Sequence, residues 1–178
     1  MSSNIFDEVR FMRLGNWHRS DRHTSLLGGA AFDGHIFRRF TLQSSRSVIL
    51  DFLCRGIMIG RNTAEAFEQI LSTPHVLDAE ELKLIAEVLR EQNSAGTDIE
   101  HAEVGEVNGR LILAVRWTAK DGKFKLISLY FVSHFNVRVV REIHFSAPVE
   151  VFSTCQSALS EVIRSIQWRF EVPPVCVA

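Results

Sequence analysis

Residues 111–168 read LILAVRWTAKDGKFKLISLYFVSHFNVRVVREIHFSAPVEVFSTCQSALSEVIRSIQW, and this stretch decides the fold. Three apolar, β-branched runs, Leu111–Trp117, Lys125–Val132 and Val137–Phe145, are separated by short polar turns at Asp121-Gly122 and His134–Asn136. An amphipathic run follows from Val149 to Ile166, in which Phe152, Cys155, Leu159, Val162, Ile163 and Ile166 form one stripe at helical spacing. The pattern predicts a three-stranded antiparallel meander backed by one helix, and so an α+β fold. Pro148 suits the first turn of that helix, where a missing N–H costs nothing.

Upstream of this block, Asn108-Gly109 is the strongest turn signal in the chain, because both residues tolerate positive φ. It predicts that a strand over Ile99–Val107 folds back onto Leu111–Val115. Asp78 and Glu81 have capping-box spacing, which starts a helix running to about Gln92, with Leu82, Ile85 and Val88 or Leu89 inward. Asn62 or Thr63 is expected to cap an earlier helix that ends at Leu71, before Pro74. His35–Leu42 and Ser47–Met58 read as strands joined by a turn at Gln43–Arg46, with Gly56 and Gly60 marking a bulge or bend. Residues 1–23 read as a short helix or strand entering the fold. No internal repeat or linker interrupts the chain, so residues 1–178 are expected to form one domain with a frayed tail over 172–178.

A chain of 178 residues, 46% hydrophobic and 23% charged, is long enough to bury a full core without staples. Cys54, Cys155 and Cys176 are the only cysteines, with no CxxC, which predicts neither a disulfide framework nor a structural zinc site. With no signal-peptide pattern and no run of 18 apolar residues, the expected location is cytoplasmic, with no membrane partner. The net charge of −1 is unevenly laid out: +4 over residues 1–61, −8 over 62–110 and +3 over 111–178. Such a layout could steer a charged partner, or simply set acidic helices beside Arg-bearing strands.

The runs NGRLILAVRW, KLISLYFV, VRVVREIHFSAP and VFSTCQSALSEVIRSIQW together resemble the closing half of PsbP-like (Mog/PsbP/DcrB) domains, over roughly residues 99–168. The resemblance implies an antiparallel sheet flanked by helices in an α/β/α sandwich. It also implies a domain that works by binding proteins, as assembly factors or adaptors do, without catalytic groups or a cofactor. The P-x-x-W segment that opens such domains is absent from the first third, and no functional residue carries over. The Gly15-Asn16-Trp17 segment is similar to one near the start of certain cyanobacterial proteins. GNWHRS also resembles lipocalin-like phycobiliprotein lyases, which would imply a bilin or lipid ligand, but the helices expected here suit that barrel poorly.

Chemistry-bearing constellations are few. His18, Asp21 and His23 could face a metal, but on a strand the two imidazoles point to opposite sides, and four arginines surround them. No metal is expected there. GxSxG, HExxH, Walker A and GxGxxG strings do not occur, and no catalytic residue is assigned. Arg10, Arg13, Arg19, Arg22, Arg38 and Arg39 with Trp17 and Phe37 could contact single-stranded nucleic acid. The sequence pI near 6.7 argues against that.

Strand alternation supplies the one candidate site. If the apolar faces of Val48/Leu50/Phe52/Cys54, Leu111/Leu113/Val115/Trp117 and Val137/Val139/Ile143/Phe145 all turn to the C-terminal helix, one opposite surface is left. On it Asp51, Arg55, Arg116, Arg138, Glu142 and His144 would gather, as a docking surface for a charged protein partner, as solvated cross-strand ion pairs, or as an internal network if the acidic helices cover the face. Arg141 breaks the alternation, which predicts a bulge or an early end to pairing in that strand. His144 beside Glu142 is the only pair resembling a hydrolase site. The reading is therefore a non-catalytic protein-binding accessory or assembly factor, with a bilin or lipid carrier as the alternative.

Overall fold

The computed structural model describes residues 8–20, 36–53, 57–89 and 97–169. In chain order the elements are β1 (Val9–Phe11), β2 (Trp17–Ser20), β3 (Ile36–Leu42), β4 (Ser45–Leu53), β5 (Ile57–Met58), α1 (Arg61–Ile70) and β6 (His75–Val76). Then come α2 (Ala79–Leu84), β7 (Thr97–Val107), β8 (Arg110–Ala119), β9 (Phe124–Ser133), β10 (Asn136–Pro148), α3 (Val149–Ser165) and β11 (Gln167–Trp168). Strands β2-β3-β4-β10-β9-β8-β7-β6 form one antiparallel sheet, and β5 pairs with β10. β1 and β11 make a separate two-stranded pair.

The expected meander is β8-β9-β10, and the Asn108-Gly109 hairpin adds β7 at its side. Both turn residues take positive φ, 49° at Asn108 and 83° at Gly109. β10 is the hinge of the whole sheet. Its thirteen residues pair with β9 on one side and with β4 and then β5 on the other. Its pairing with β9 shifts register between Asn136 and Val140, whereas Arg141 itself stays in register opposite Phe131, so the irregularity does not lie at the residue that suggested it.

Apolar cores fill both faces of the sheet. On one, Leu50, Phe52, Ile112, Phe131, Ile143 and Phe145 meet Phe152, Cys155, Leu159 and Val162 of α3. On the other, Leu113, Val115, Trp117, Tyr130 and Val140 meet Ala64, Phe67 and Ile70 of α1 and Ile85, Val88 and Leu89 after α2. Burying side chains of this size stabilises by about 1.5–3 kcal/mol each. Among the described residues no helix is long and apolar enough to cross a membrane.

Several local expectations need correction. Leu113, Val115 and Trp117 face α1, not the C-terminal helix, so Ile112, Ala114 and Arg116 take the α3 side. Because β8 is apolar on both faces, alternation alone could not orient it. Helix α1 begins after Gly60, whose N–H bonds Glu87 Oε2 at 3.1 Å, and Thr63 also donates to that carboxylate instead of capping. The Asp78–Glu81 capping box is present. The helix it starts ends at Leu84, and turns carry Ile85, Val88 and Leu89 into the core instead. The β-branched Ile85 and Val88 favour helix weakly. Pro148 is the N-cap of α3 rather than a residue of its first turn. Cys54, Gly56, Cys176, the Asp21/His23 pair and the tail 172–178 lie outside the described residues.

Asn108 does a second job. Its Nδ2 donates to the Ile166 and Arg164 carbonyls at 2.5 and 3.1 Å, closing the end of α3, which has no C-terminal glycine. Asn108→Ala is expected to cost about 1–2 kcal/mol, from the lost bonds and from the loss of the short polar side chain that lets asparagine tolerate positive φ. Asn108→Gly keeps the conformation available and isolates the bonds. Equal urea midpoints for wild type and Asn108→Ala would rule the clamp out.

Candidate functional site

Register brings polar groups into one file across four neighbouring strands. Arg39 of β3 lies opposite Asp51 of β4, Asp51 opposite His144 of β10, and His144 opposite Ser128 of β9. Their side chains share the face turned away from α3, since each stands next in its strand to a residue of the α3-side core: Phe40, Leu50, Phe145 and Leu129. Arg39 grips Asp51 in a fork, Nε to Oδ1 and Nη2 to Oδ2, both at 2.7 Å. His144 Nδ1 lies 2.8 Å from Ser128 Oγ, and His144 Nε2 lies 2.9 Å from Glu142 Oε2. The Tyr130 ring meets the His144 ring edge to face at 6.1 Å.

An ionised Glu142 carboxylate only accepts, so His144 Nε2 donates to it, and in the neutral imidazole Nδ1 then accepts from the Ser128 hydroxyl. The order serine, histidine, carboxylate is that of a nucleophile, a base and its orienting acid. Burial decides against that use here: Ser128 is 0% exposed, Glu142 2% and His144 6%. A hydroxyl closed off from solvent cannot reach a substrate carbonyl, and the set instead satisfies its own polar atoms inside the sheet.

Of the six residues proposed as one surface, three come together: Asp51, Glu142 and His144. They are buried or nearly so, and do not form a docking face. Arg116 points to the opposite side, on the rim of an open groove of about 180 Å³ beside Gln156 and Ser160 of α3. Arg138 is exposed near β5, its Nε donating to the Ile59 carbonyl at 3.1 Å. Arg55 lies outside the described residues. Arg39 and Ser128 complete the file; Arg39 was weighed only among the arginines of a nucleic-acid surface, and Ser128 was not singled out. Ser128 was detectable as the one polar residue on the inward parity of Leu126 and Tyr130.

A second buried cluster, on the α3 face, was missed altogether. Glu8 Oε1 accepts from Arg141 Nε at 2.8 Å and from Ser133 Oγ at 2.7 Å. Its Oε2 accepts from Arg110 Nη2 and from the His134 backbone N–H, both at 3.0 Å. The Arg110 guanidinium lies 4.6 Å from the Phe131 ring centre and 4.7 Å from that of Trp168. Burial pushes the Glu8 carboxyl up, but hydrogen bonds from Arg141, the His134 N–H and Ser133, with the charge of Arg110, outweigh it and hold it below the usual range. Arg110 is lowered by burial, against the pull of Glu8. The separations are 133 residues for Arg141 and 102 for Arg110, beyond any short-range signal.

A second open groove, of about 430 Å³, lies between the β3–β4 turn and α3, lined by Asn16, Leu42, Gln43, Thr154, Cys155 and Ala158. No group of three or more His, Cys, Asp or Glu residues that could hold a metal occurs among the described residues.

No family model matches the sequence, and no curated protein matches it. Among solved structures the chain is similar to cyanobacterial PsbP (CyanoP) from Synechocystis sp. PCC 6803. The match has a TM-score of 0.51 and 13% identity, and covers 93% of this chain and 89% of that one. At that identity the likeness is one of fold, and it spans the N-terminal third as well as the half whose motifs suggested it. This chain has a PsbP-like α+β fold, mostly antiparallel sheet with a few helices.

Proposed function

We propose that the chain is a non-catalytic protein-binding accessory or assembly factor. The observation that carries this reading is a set of large apolar side chains standing out at one end of the sheet. Phe135 in the β9–β10 turn and Val137 just after it are 50% and 52% exposed. Met58, opposite Val139 on the neighbouring strand, is 58% exposed. Aromatic and methionine side chains are what protein interfaces favour, whereas the Ser128–His144–Glu142 set is turned inward. A PsbP-like fold and an α/β/α arrangement are compatible with an adaptor, and cysteine usage alone suggests the cytoplasm.

The test is crosslinking in extract of the native cell, with wild type against Phe135→Asp combined with Val137→Thr. Losing a central aromatic anchor should weaken a specific crosslinked partner about tenfold or more. Identical crosslinks from the double variant, or turnover of a small substrate by pure protein, would overturn the proposal. A bilin or lipid carrier is the alternative, supported by the groove of about 430 Å³ beside Cys155, which falls in the size range of small-molecule sites. It would show itself as a chromophore or lipid that copurifies.

A further inference from the structure

We infer that Arg110, Arg141, Ser133 and the His134 N–H form a carboxylate-binding socket, that the chain fills it with its own Glu8, and that a small free carboxylate takes the place when Glu8 is truncated.

The donors and the ligand come from different parts of the fold. Arg110 sits at the start of β8, Ser133 at the end of β9, His134 in the turn and Arg141 on β10, so the sheet alone holds all four. Each carboxylate oxygen receives two of them, at 2.7–3.0 Å. The Arg110 fork is held in place by the Phe131 and Trp168 rings and by its bond to the Val132 carbonyl, so it is oriented whether or not a carboxylate is present. Planar guanidinium groups with added N–H and O–H donors match carboxylate geometry.

The ligand arrives on a thin strap. β1 pairs with the two-residue β11, through Val9 opposite Trp168 and Phe11 opposite Gln167. The Glu8 carbonyl also accepts from the Arg169 N–H. The Glu8 side chain is 0% exposed, so the socket excludes solvent around it, and its charged hydrogen bonds act at low dielectric. Removing the side chain beyond Cβ therefore empties a volume lined by oriented donors that is close to acetate or formate in size and charge.

The experiment is thermal unfolding of full-length Glu8→Ala in sodium acetate, sodium formate and sodium chloride at equal ionic strength. Ligand that binds only the folded state raises its apparent Tm by mass action, here by about 3 °C or more at saturation. The wild type, whose socket is filled, should move no more in acetate than in chloride. Glu8→Gln should be equally blind to acetate, because its amide occupies the same volume. Should Glu8→Ala be unfolded in chloride, the same titration reads recovery of the folded near-UV signal. The inference is overturned if acetate and formate act on Glu8→Ala only as chloride does, if no folded signal returns, or if Glu8→Gln and wild type respond as strongly.

Discussion

Glu8→Ala is expected to lower stability by about 3–5 kcal/mol, because it strips a buried charge partner from Arg110 and Arg141. Against a whole-domain stability of about 5–15 kcal/mol, that is a large fraction. The wild-type pair itself contributes less than this figure, since its attraction is offset by the cost of dehydrating the ions. Most of the expected loss is the penalty of taking that negative charge away from two guanidinium groups in a site that excludes water. The readout is the urea midpoint at constant slope, and an unchanged midpoint would mean that the cluster holds nothing together. Glu8→Gln keeps the volume but turns an N–H toward a guanidinium, and is expected to fall between the two.

The same residue sets a pH dependence. The carboxyl of Glu8 is held below its unfolded value. Its contribution is therefore fully present above the unfolded pKa and is lost as pH falls through the folded one. Wild type should lose stability on acidification through that window more steeply than Glu8→Gln. Parallel acid limbs for the two proteins would contradict the assignment.

Trp117→Ala is the second large effect, about 3–5 kcal/mol. Trp117 is 0% exposed at the centre of the α1-side core, where a truncated indole leaves a void the sheet cannot collapse around. Trp117→Phe separates size from polarity. The indole Nε1 is buried and has no hydrogen-bond partner among the described residues. Removing it forfeits no bond and relieves an unsatisfied donor, so phenylalanine should cost less than half of what alanine does. If phenylalanine cost as much as alanine, Nε1 would have to hold an acceptor.

Elements written in short-range periodicity were legible. The β8-β9-β10 meander, the Asn108-Gly109 hairpin, the Asp78–Glu81 capping box and the α3 stripe each rest on residues within one or two turns of one another. Where a strand is apolar on both faces the signal fails: LILAVRW has no polar side to mark solvent, and β8 was turned the wrong way. Arg116 went with it, out of the proposed cluster. Alternation over Val48–Phe52 and Glu142–Phe145 put Asp51, Glu142 and His144 on one face; whether that face lay open or under helices was not decided by it, because the second core is built from helices elsewhere in the chain.

By itself, then, the order of residues determined the α+β character, the closing meander with its terminal helix and the sharp turns, since backbone φ/ψ and side-chain parity act locally. Only tertiary packing decided the rest. The pairing of β4 with β10 set Asp51 opposite His144, and the return of the N-terminal strand to β11 carried Glu8 to Arg141. Those meetings depend on how distant segments bury surface together, and a buried charge is stable only where the assembled fold brings its partners.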